Sequence, residues 1–507
     1  MFVRKKKNRS GSISVQIIDK AKGYHVIKTI GSSSDPDTIE RLVKLGKWRI
    51  QKKSKNQLKL FALQTNEEQT IEEFLSQLEN AQVRTVGPER IFGTLFDRLG
   101  FNKIPDELFR HLVIARLAYP ASKLKTVDYL YRYQGVTISI DAVYRFLDML
   151  RNTYQKEVEH IAFSYTKNVL KDNITVVFYD LTTLYFETEA EDDLRKIGFS
   201  KDNKFNQPQI MIGLLVGRDG YPIGYDIFEG NTFEGHTLIP IVQKFETKFH
   251  LKKPVIIADA GLLSKNNLDS LSQAGYTYIV GARIKNESEE VRQQILALTL
   301  TDTESKTIEK ANGASLVINY SFNRAKKDED NREKGLKRLE KNVKSGRLTK
   351  EHINNRGYNK FLKLTGNITV AIDYEKYNEE KKWDGLKGYL TNTNLTAKTV
   401  IENYNQLWQI EKAFRISKTD LRIRPIYHRL RDRIKAHICI AFVAYTIYKE
   451  LERLLHIHKI SFTPTRAAEL THTMYALNYV EPTSSTRKTI LLKMDDEQQQ
   501  LYDTING

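Results

Sequence analysis

Around Asn173 the hydrophobic pattern of this chain changes period, and that change limits the folds open to it. Upstream, "IFGTLFDRLGF", "DELFRHLVIARLAY" and "DAVYRFLDMLRNTYQKEVEHIAFSYTKNVL" repeat apolar residues at three and four, the spacing of helices with one buried face. Downstream, "NITVVFYDLTTLYFE" is a run of β-branched and aromatic residues, which pack well on a pleated surface. "PQIMIGLLVGRDGYPIGYDIFEG" follows as two apolar runs about a "GRDG" turn, the composition of a hairpin. "KPVIIADAGLLSKNNLDSLSQAG" passes from a short buried strand into a helix, and "YTYIVGAR" is a further buried strand. Hairpin strands followed by strand–helix–strand units specify a mixed α/β sheet.

Five segments are expected on this reading. Residues 1–66 mix β-like runs ("SISVQIID", "YHVIKTI") with a helix around "DTIERLVKLGKWRIQKK", a hairpin-and-helix module. Residues 67–171 are helical. Residues 172–284 together with 384–459 are expected to form the α/β core, and 285–383 to be a β-rich insertion. That insertion holds a half-buried strand in "ASLVINYSFNR", a charged helical arm in "RAKKDEDNREKGLKRLEKNVKSGRLTKEH", and more strand in "YNKFLKLTGNITVAIDYEKY". The arm's lysines either follow a phosphate backbone or form a solvated helix face. Residues 460–507 are a C-terminal region. Within the helical segment, "VTISIDAVYRFLDML" has helix–turn–helix character. Ser139 would cap a helix exposing Tyr144 and Arg145 while burying Val143, Phe146, Leu147 and Leu150. An ordinary bundle helix fits the same spacing.

Charge narrows the partner. Lys and Arg number 80 against 62 Asp and Glu, for a net +18 and a pI near 9.4. Such an excess over 507 residues suits a polyanion such as nucleic acid. The single cysteine, Cys439, rules out an intrachain disulfide or a Cys-based zinc site. It lies in "AHICIAFVAYTIY", whose roughly one dozen apolar residues are too few to span a bilayer and read as a buried helix. No apolar stretch follows the basic start "MFVRKKKNRS", so the expectation is a cytoplasmic protein with no membrane association.

Two aspartates stand apart. Asp180 ends "TVVFYD" and Asp259 ends "PVIIAD", each after an apolar strand and before a turn. A carboxylate where a buried strand emerges is fixed by its scaffold and faces the crevice at the sheet edge. In "YNQLWQIEKAFRISKTDLRIRPIYH", Tyr404, Glu411 and Lys418 recur at intervals of seven. Seven residues fall about 20° short of two turns, so the three would line one stripe of a single helix. Thr396 or Asn394 would be its N-cap. That stripe is either a solvated face or the rim of a cleft. If Asp180, Asp259 and Glu411 converge, their mutual repulsion calls for cations, and Mg²⁺ suits an all-oxygen site that also receives phosphate.

The order Asp180, Asp259, Glu411, closing on the Tyr404–Glu411–Lys418 helix, resembles DDE transposases of bacterial insertion sequences. The closer likeness is to the branch with Tyr, Arg, Glu and Lys along one helix and a β-rich insertion before the Glu. "GNTFEGHT" resembles that branch's segment after the hairpin, and "LRIRPIYH" its basic continuation. The likeness covers 173–459 strongly. The signature arginine falls at Leu407, where Arg415 would supply the charge or the subfamily does without it.

The resemblance implies a ribonuclease-H-like sheet preceded by a helical DNA-binding region. It also implies strand cleavage and strand transfer by two-metal phosphoryl transfer, with Mg²⁺ or in its place Mn²⁺. One ion would be shared by Asp180 and Asp259, the other by Asp180 and Glu411. Tyr404 and Lys418 would hold the phosphates flanking the scissile bond. Asn231 and Thr232 would reach nearby DNA, and Arg422, Arg424, Arg429, Arg431 and Arg433 would continue the basic surface. A homodimer on two double-stranded DNA ends and a nucleoid-associated, prokaryotic setting are further implications. Two other readings compete. "YDLTT" resembles the aspartyl-nucleophile motif of haloacid-dehalogenase-like phosphatases, although Thr182 stands where that chemistry needs a second acid. The other is a DNA-binding protein of transposase descent with a dead site, against which all three carboxylates argue. The "HIH" pair, His456 and His458, reads as surface rather than ligand.

Overall fold

A computed structural model describes the chain except residues 21–22, 59–73, 77, 80–81, 172–173, 201–203, 262–263, 312, 355–356, 366–368 and 482–485. The boundary expected at 66/67 therefore lies outside the described residues. Two compact units separate, 1–83 with 477–490 and 84–476 with 491–507.

In the first unit, β1 (Phe2–Lys7), β2 (Ile13–Asp19) and β3 (His25–Ser33) form an antiparallel meander, with helix α1 (Pro36–Leu58) packed on it. Val15 and Ile18 are fully buried there.

The second unit begins as a helical layer: α2 (Glu107–Ala118), α3 (Lys123–Tyr129), α4 (Ile140–Met149) and α5 (Gln155–Val169). Ser139 caps α4 by accepting from Ala142 N, and Val143, Phe146, Leu147 and Leu150 are buried, as their spacing requires. The sheet then opens with β4 (Val176–Tyr185), β5 (Gln209–Val216) and β6 (Pro222–Glu229). Helix α6 (Leu238–Phe249), strand β7 (Val255–Ala258), helix α7 (Lys265–Gln273) and strand β8 (Thr277–Ala282) follow. Next come β9 (Ser305–Glu309), β10 (Ser315–Tyr320), the long helix α8 (Phe322–Lys344), the small hairpin β11 (Leu362–Thr365) and β12 (Thr369–Ile372), and β13 (Leu386–Thr391). Helices α9 (Ala397–Tyr404), α10 (Trp408–Arg415) and α11 (Arg431–Ile457) complete the core.

Eight strands make one mixed sheet in the order β9-β10-β13-β8-β7-β4-β5-β6. β4, β5 and β6 are antiparallel neighbours, whereas β7 joins β4 in parallel and β8 joins β7 in parallel. An antiparallel trio followed by two parallel strands beyond the first is the ribonuclease-H-like arrangement. The inserted segment adds β9 and β10 to the same sheet through β13.

Period-two alternation gives the sheet two buried faces. Val176, Phe178, Ile212, Leu214 and Ile257 join one core with α10 and α11. Val177, Tyr179, Leu181, Met211 and Ile256 join the other, beneath α6 and α7. Helix α11 is buried along nearly its whole middle, from Ala436 to Leu451, with Cys439 fully enclosed. Among the described residues no helix is long and apolar enough to cross a membrane.

Candidate active site

The two aspartates meet at the junction of β4 and β7. Those strands are parallel, with Tyr179 opposite Ala258, so the next residues in register are Asp180 and Asp259. One strand spacing, about 4.8 Å, separates their backbones. Alternation sets both on the face shared by Phe178 and Ile257, the face that α10 covers. Asp259 lies just past the end of β7, as expected, whereas Asp180, expected at a strand end before a turn, sits midway along β4, which runs on to Tyr185 because its apolar and β-branched residues keep pairing with β5; Asp180 is half-buried and Asp259 is exposed. Asp180 Oδ1 accepts from Leu181 N at 2.7 Å, and Asp259 Oδ1 from Ala260 N at 2.7 Å.

Tyr404 completes this corner. Its hydroxyl donates to Asp259 Oδ1 at 3.2 Å, while its ring packs edge-on against Tyr389 at 5.0 Å. Lys387 Nζ lies 4.7 Å from the centre of the same ring. Burial pushes the phenol pKa well up, and the charges of Asp259 and Glu411 push it further, so the group stays protonated and donates at neutral pH. Gly281 permits the approach: a Cβ there would stand 2.5 Å from the Tyr404 hydroxyl oxygen. Burial lowers the Lys387 pKa, and Arg324 lowers it too, while Asp259 opposes the shift.

The expectation of one continuous helix is corrected. α9 ends at Tyr404 and α10 begins at Trp408. Between them, Leu407 N bonds to Tyr404 O at 2.9 Å and Ile410 N to Leu407 O at 3.2 Å, the tighter three-residue spacing. Past Arg415 the helix widens, with Leu421 N on Ile416 O at 2.9 Å, a five-residue bond. Each change shifts the phase, so the three groups do not share a stripe. Tyr404 is buried towards the sheet, Glu411 is exposed, and Lys418 is half-buried beside Thr182, Leu184 and Phe414. Tyr404, expected on the cleft rim, thus touches a carboxylate. Leu407, where the signature has arginine, is 9% exposed and belongs to the core, whereas Arg415 is exposed. Thr396 is the N-cap of α9, accepting from Thr399 N.

Other expected residues surround this corner. Asn231 is exposed and Thr232 half-buried, with Thr232 N on Glu229 O at 3.0 Å, in the loop after β6. That loop is tied to the sheet where Tyr179 donates to Thr237 Oγ1 at 2.7 Å, and to α7 where Asn267 donates to Gly235 O. Arg424 lies 5.9 Å over the Tyr185 ring, and Ile426 bridges to Phe186, so the basic segment runs beside the end of β4. Arg422 is exposed. Arg145 is exposed on α4, but Tyr144 is half-buried, with Arg433 4.9 Å above its ring and His428 edge-on at 6.2 Å. The free surface expected for Tyr144 is occupied by the arginine and histidine packed against it. Thr182, where a phosphatase would need its second acid, is 6% exposed.

Sequence reasoning missed two participants. Gly281 sits on a strand read only as an apolar run, and Lys387 sits on β13, which the sequence reading did not mark as a strand.

Three carboxylates suit a hard divalent cation in donor type, with no soft ligand among them. Two stand on adjacent strands and the third on the helix that covers those strands. They are not drawn together: among the described residues, no group of three His, Cys, Asp or Glu side chains is close enough to hold an ion. Holding one would require Glu411 to turn in from its exposed position.

A family model described as a transposase DDE domain matches residues 172–447. Among solved structures, a piggyBac transposase synaptic complex with hairpin DNA is similar at 10% identity over 76% of each chain, with a TM-score of 0.39. A Mos1 transposase paired-end complex with the left transposon end is similar at 11% identity over 44% of this chain and 70% of that one, with a TM-score of 0.16. No curated protein matches by sequence.

Proposed function

Because the chain belongs to the transposase DDE domain family, we propose that it binds the terminal inverted repeats of its element, cleaves their ends and joins them to target DNA. The observation that supports the reading is the adjacency of Asp180, midway along β4, and Asp259, just past the end of the parallel neighbour β7, with the helix bearing Glu411 laid on β4. Asp180, Asp259 and Glu411 would hold divalent Mg²⁺, or Mn²⁺ in its place. When bound, two such ions supply the Lewis-acid charge that phosphoryl transfer needs.

The chain's own residues do the rest. Tyr404 holds Asp259 by a hydrogen bond and fixes which oxygen remains free. Lys418, beside Thr182, and Lys387, over the Tyr404 ring, would supply positive charge to a phosphodiester at the carboxylates. Arg415, Arg422 and Arg424 would continue that charge outward, and Asn231 and Thr232, in the loop after β6, would reach nearby DNA. Such contacts position a DNA backbone more than they read its bases. Arg145 on α4 extends the same role to the helical segment, and pairing of two copies across two DNA ends belongs to the same proposal.

The test is metal-dependent nicking of a duplex carrying an element end. Wild type should cut with Mg²⁺ or Mn²⁺ and not with EDTA. Asp180→Asn, Asp259→Asn and Glu411→Gln should each bind the duplex and leave it uncut. Cutting by Asp180→Asn at the wild-type rate would sink the assignment. Binding without cutting by wild type would favour the inactive, DNA-binding descendant.

A further inference from the structure

A second basic site lies away from the carboxylates, in a cleft of about 880 Å³ between α2, α3 and the segment leading into α11. Arg116 and Lys123 line it at 5% and 6% exposure, with His428 and His437 beside them. These four groups press on one another. Burial lowers the Lys123 pKa, and Arg116 lowers it further. Burial holds His428 down to about 3, helped by Lys123 and Arg116, and His437 is lowered by burial and the same neighbours.

Among the described residues no acid pairs with Arg116 or Lys123, although Asp420 and Glu469 line the same cleft. Asp148 is held by Arg433 through two bonds of 2.8 Å, Glu469 pairs with Arg466, and Asp420 accepts from Tyr448. Arg116 reaches only the carbonyls of Leu421 and Arg422, at 3.4 Å. Lys123 forms no ion pair among the described residues. His437 places Nε2 against Ile423 O at 3.0 Å, and its Nδ1, buried in a residue 6% exposed, has no hydrogen-bond partner. Burying unpaired cations opposes folding, so Arg116 and Lys123, held together in an open cleft beside two imidazoles that burial keeps uncharged, would be offset by an anion.

We propose that this cleft is an oxyanion subsite that takes a backbone phosphate of bound DNA. The volume admits a sugar-phosphate unit. Arg422 and Arg424, which line the cleft, also run beside the end of the strand bearing Asp180, so one basic surface joins the two places. That continuity favours a DNA phosphate over a free one. The inference rests on the transposase reading and adds to it a second point of backbone capture.

The experiment uses the full chain and two probes, inorganic phosphate by calorimetry and a DNA duplex by anisotropy across a salt series. Wild type should bind phosphate saturably. Lys123→Met should abolish that binding and weaken duplex affinity about tenfold, with the log–log salt slope smaller by about one. Its melting temperature in phosphate-free buffer should equal or exceed that of wild type, the opposite of a purely structural lysine. Should that variant fail to fold, Lys123→Gln serves instead, and the wild-type phosphate titration stands on its own. No saturable phosphate binding by wild type overturns the proposal, as does an unchanged salt slope in the variant. Loss of phosphate binding with unaltered duplex affinity assigns the cleft to free phosphate and also overturns it. Wild type that binds no duplex defeats the transposase reading itself, a result visible before any variant is made.

Discussion

At the scale of single residues, the corner around Asp259 depends on a phenol held where it can only donate. Tyr404→Phe should preserve the ring's contacts with Tyr389 and Lys387. Its cost to stability should therefore stay within about 1 kcal/mol, the net worth of one hydrogen bond to a group that water can reach. End cleavage should fall about tenfold, equivalent to roughly 1.4 kcal/mol on the barrier. Gly281→Ala should reach the same result from the other side, because its Cβ would stand 2.5 Å from the hydroxyl oxygen and push it off Asp259. If both act through that contact, the double variant will cleave no more slowly than Gly281→Ala alone. Additive losses in single-turnover cleavage would show two separate roles. Tyr404 was singled out beforehand, but as a phosphate contact, and Gly281 was not marked at all. A glycine in a strand and a tyrosine in a helix carry no mark of meeting until the sheet brings them together.

Elements carry the effects that span neighbouring segments. Arg433, near the start of α11, donates two hydrogen bonds to Asp148 at the end of α4. Those bonds hold the Asp148 carboxyl below its usual range, against a smaller opposing effect of burial. A carboxylate depressed in the folded state stabilises fully above its unfolded pKa, about 3.9, and the gain is lost as pH falls through the lower folded value. Asp148 is 40% exposed, so screening limits the contribution to about 0.5–1 kcal/mol. Asp148→Asn should lower the melting temperature at neutral pH, and the gap from wild type should close in strong acid. A gap that persists there would mean packing, not charge. Six of the eight strands were legible because period-two and period-3.6 runs meet at glycine and aspartate turns, whereas the short β9 and β13 were not marked. The break at 405–407 was not, since a change from four-residue to three-residue bonding leaves the residue types untouched. β1 was read only as a basic start: "FVRKKK" alternates too weakly for a strand until its partner "ISVQIID" supplies the apolar face. The strand end bearing Asp259 was legible, but the continuation of β4 five residues past Asp180 to Tyr185 was not, and neither was the outward turn of Glu411, because exposure depends on helix phase.

For the second unit as a whole, the inserted segment is an excursion from a hairpin rather than a spacer. Tyr320 pairs directly with Leu386, and Ser321 N bonds to Gly385 O at 3.0 Å, so the chain leaves and re-enters the sheet at one place. Between those points α8, β11 and β12 build a separate small core from Leu339, Phe361, Leu362 and Val370. A core that closes on itself should be removable. Replacing residues 322–384 by Asn-Gly, the pair that suits a two-residue antiparallel turn, should leave the eight-stranded sheet intact. Shortening the connection also lowers the entropic cost of pairing β10 with β13. What the remainder loses is a few bonds, such as Lys285 with Glu380 and Gly385 N with Asp328, and the packing of Trp383 on the core of Leu316 and Ile318. The shortened protein should still unfold cooperatively, with amides of β10 and β13 protected from hydrogen exchange. Its duplex binding should weaken if the lysines of α8 follow DNA and should hold if they are a solvated face, which decides between the two readings of that arm. Fast exchange across β10 and β13 would show that the excursion supports the sheet, and the self-contained core would then be no more than a contact cluster.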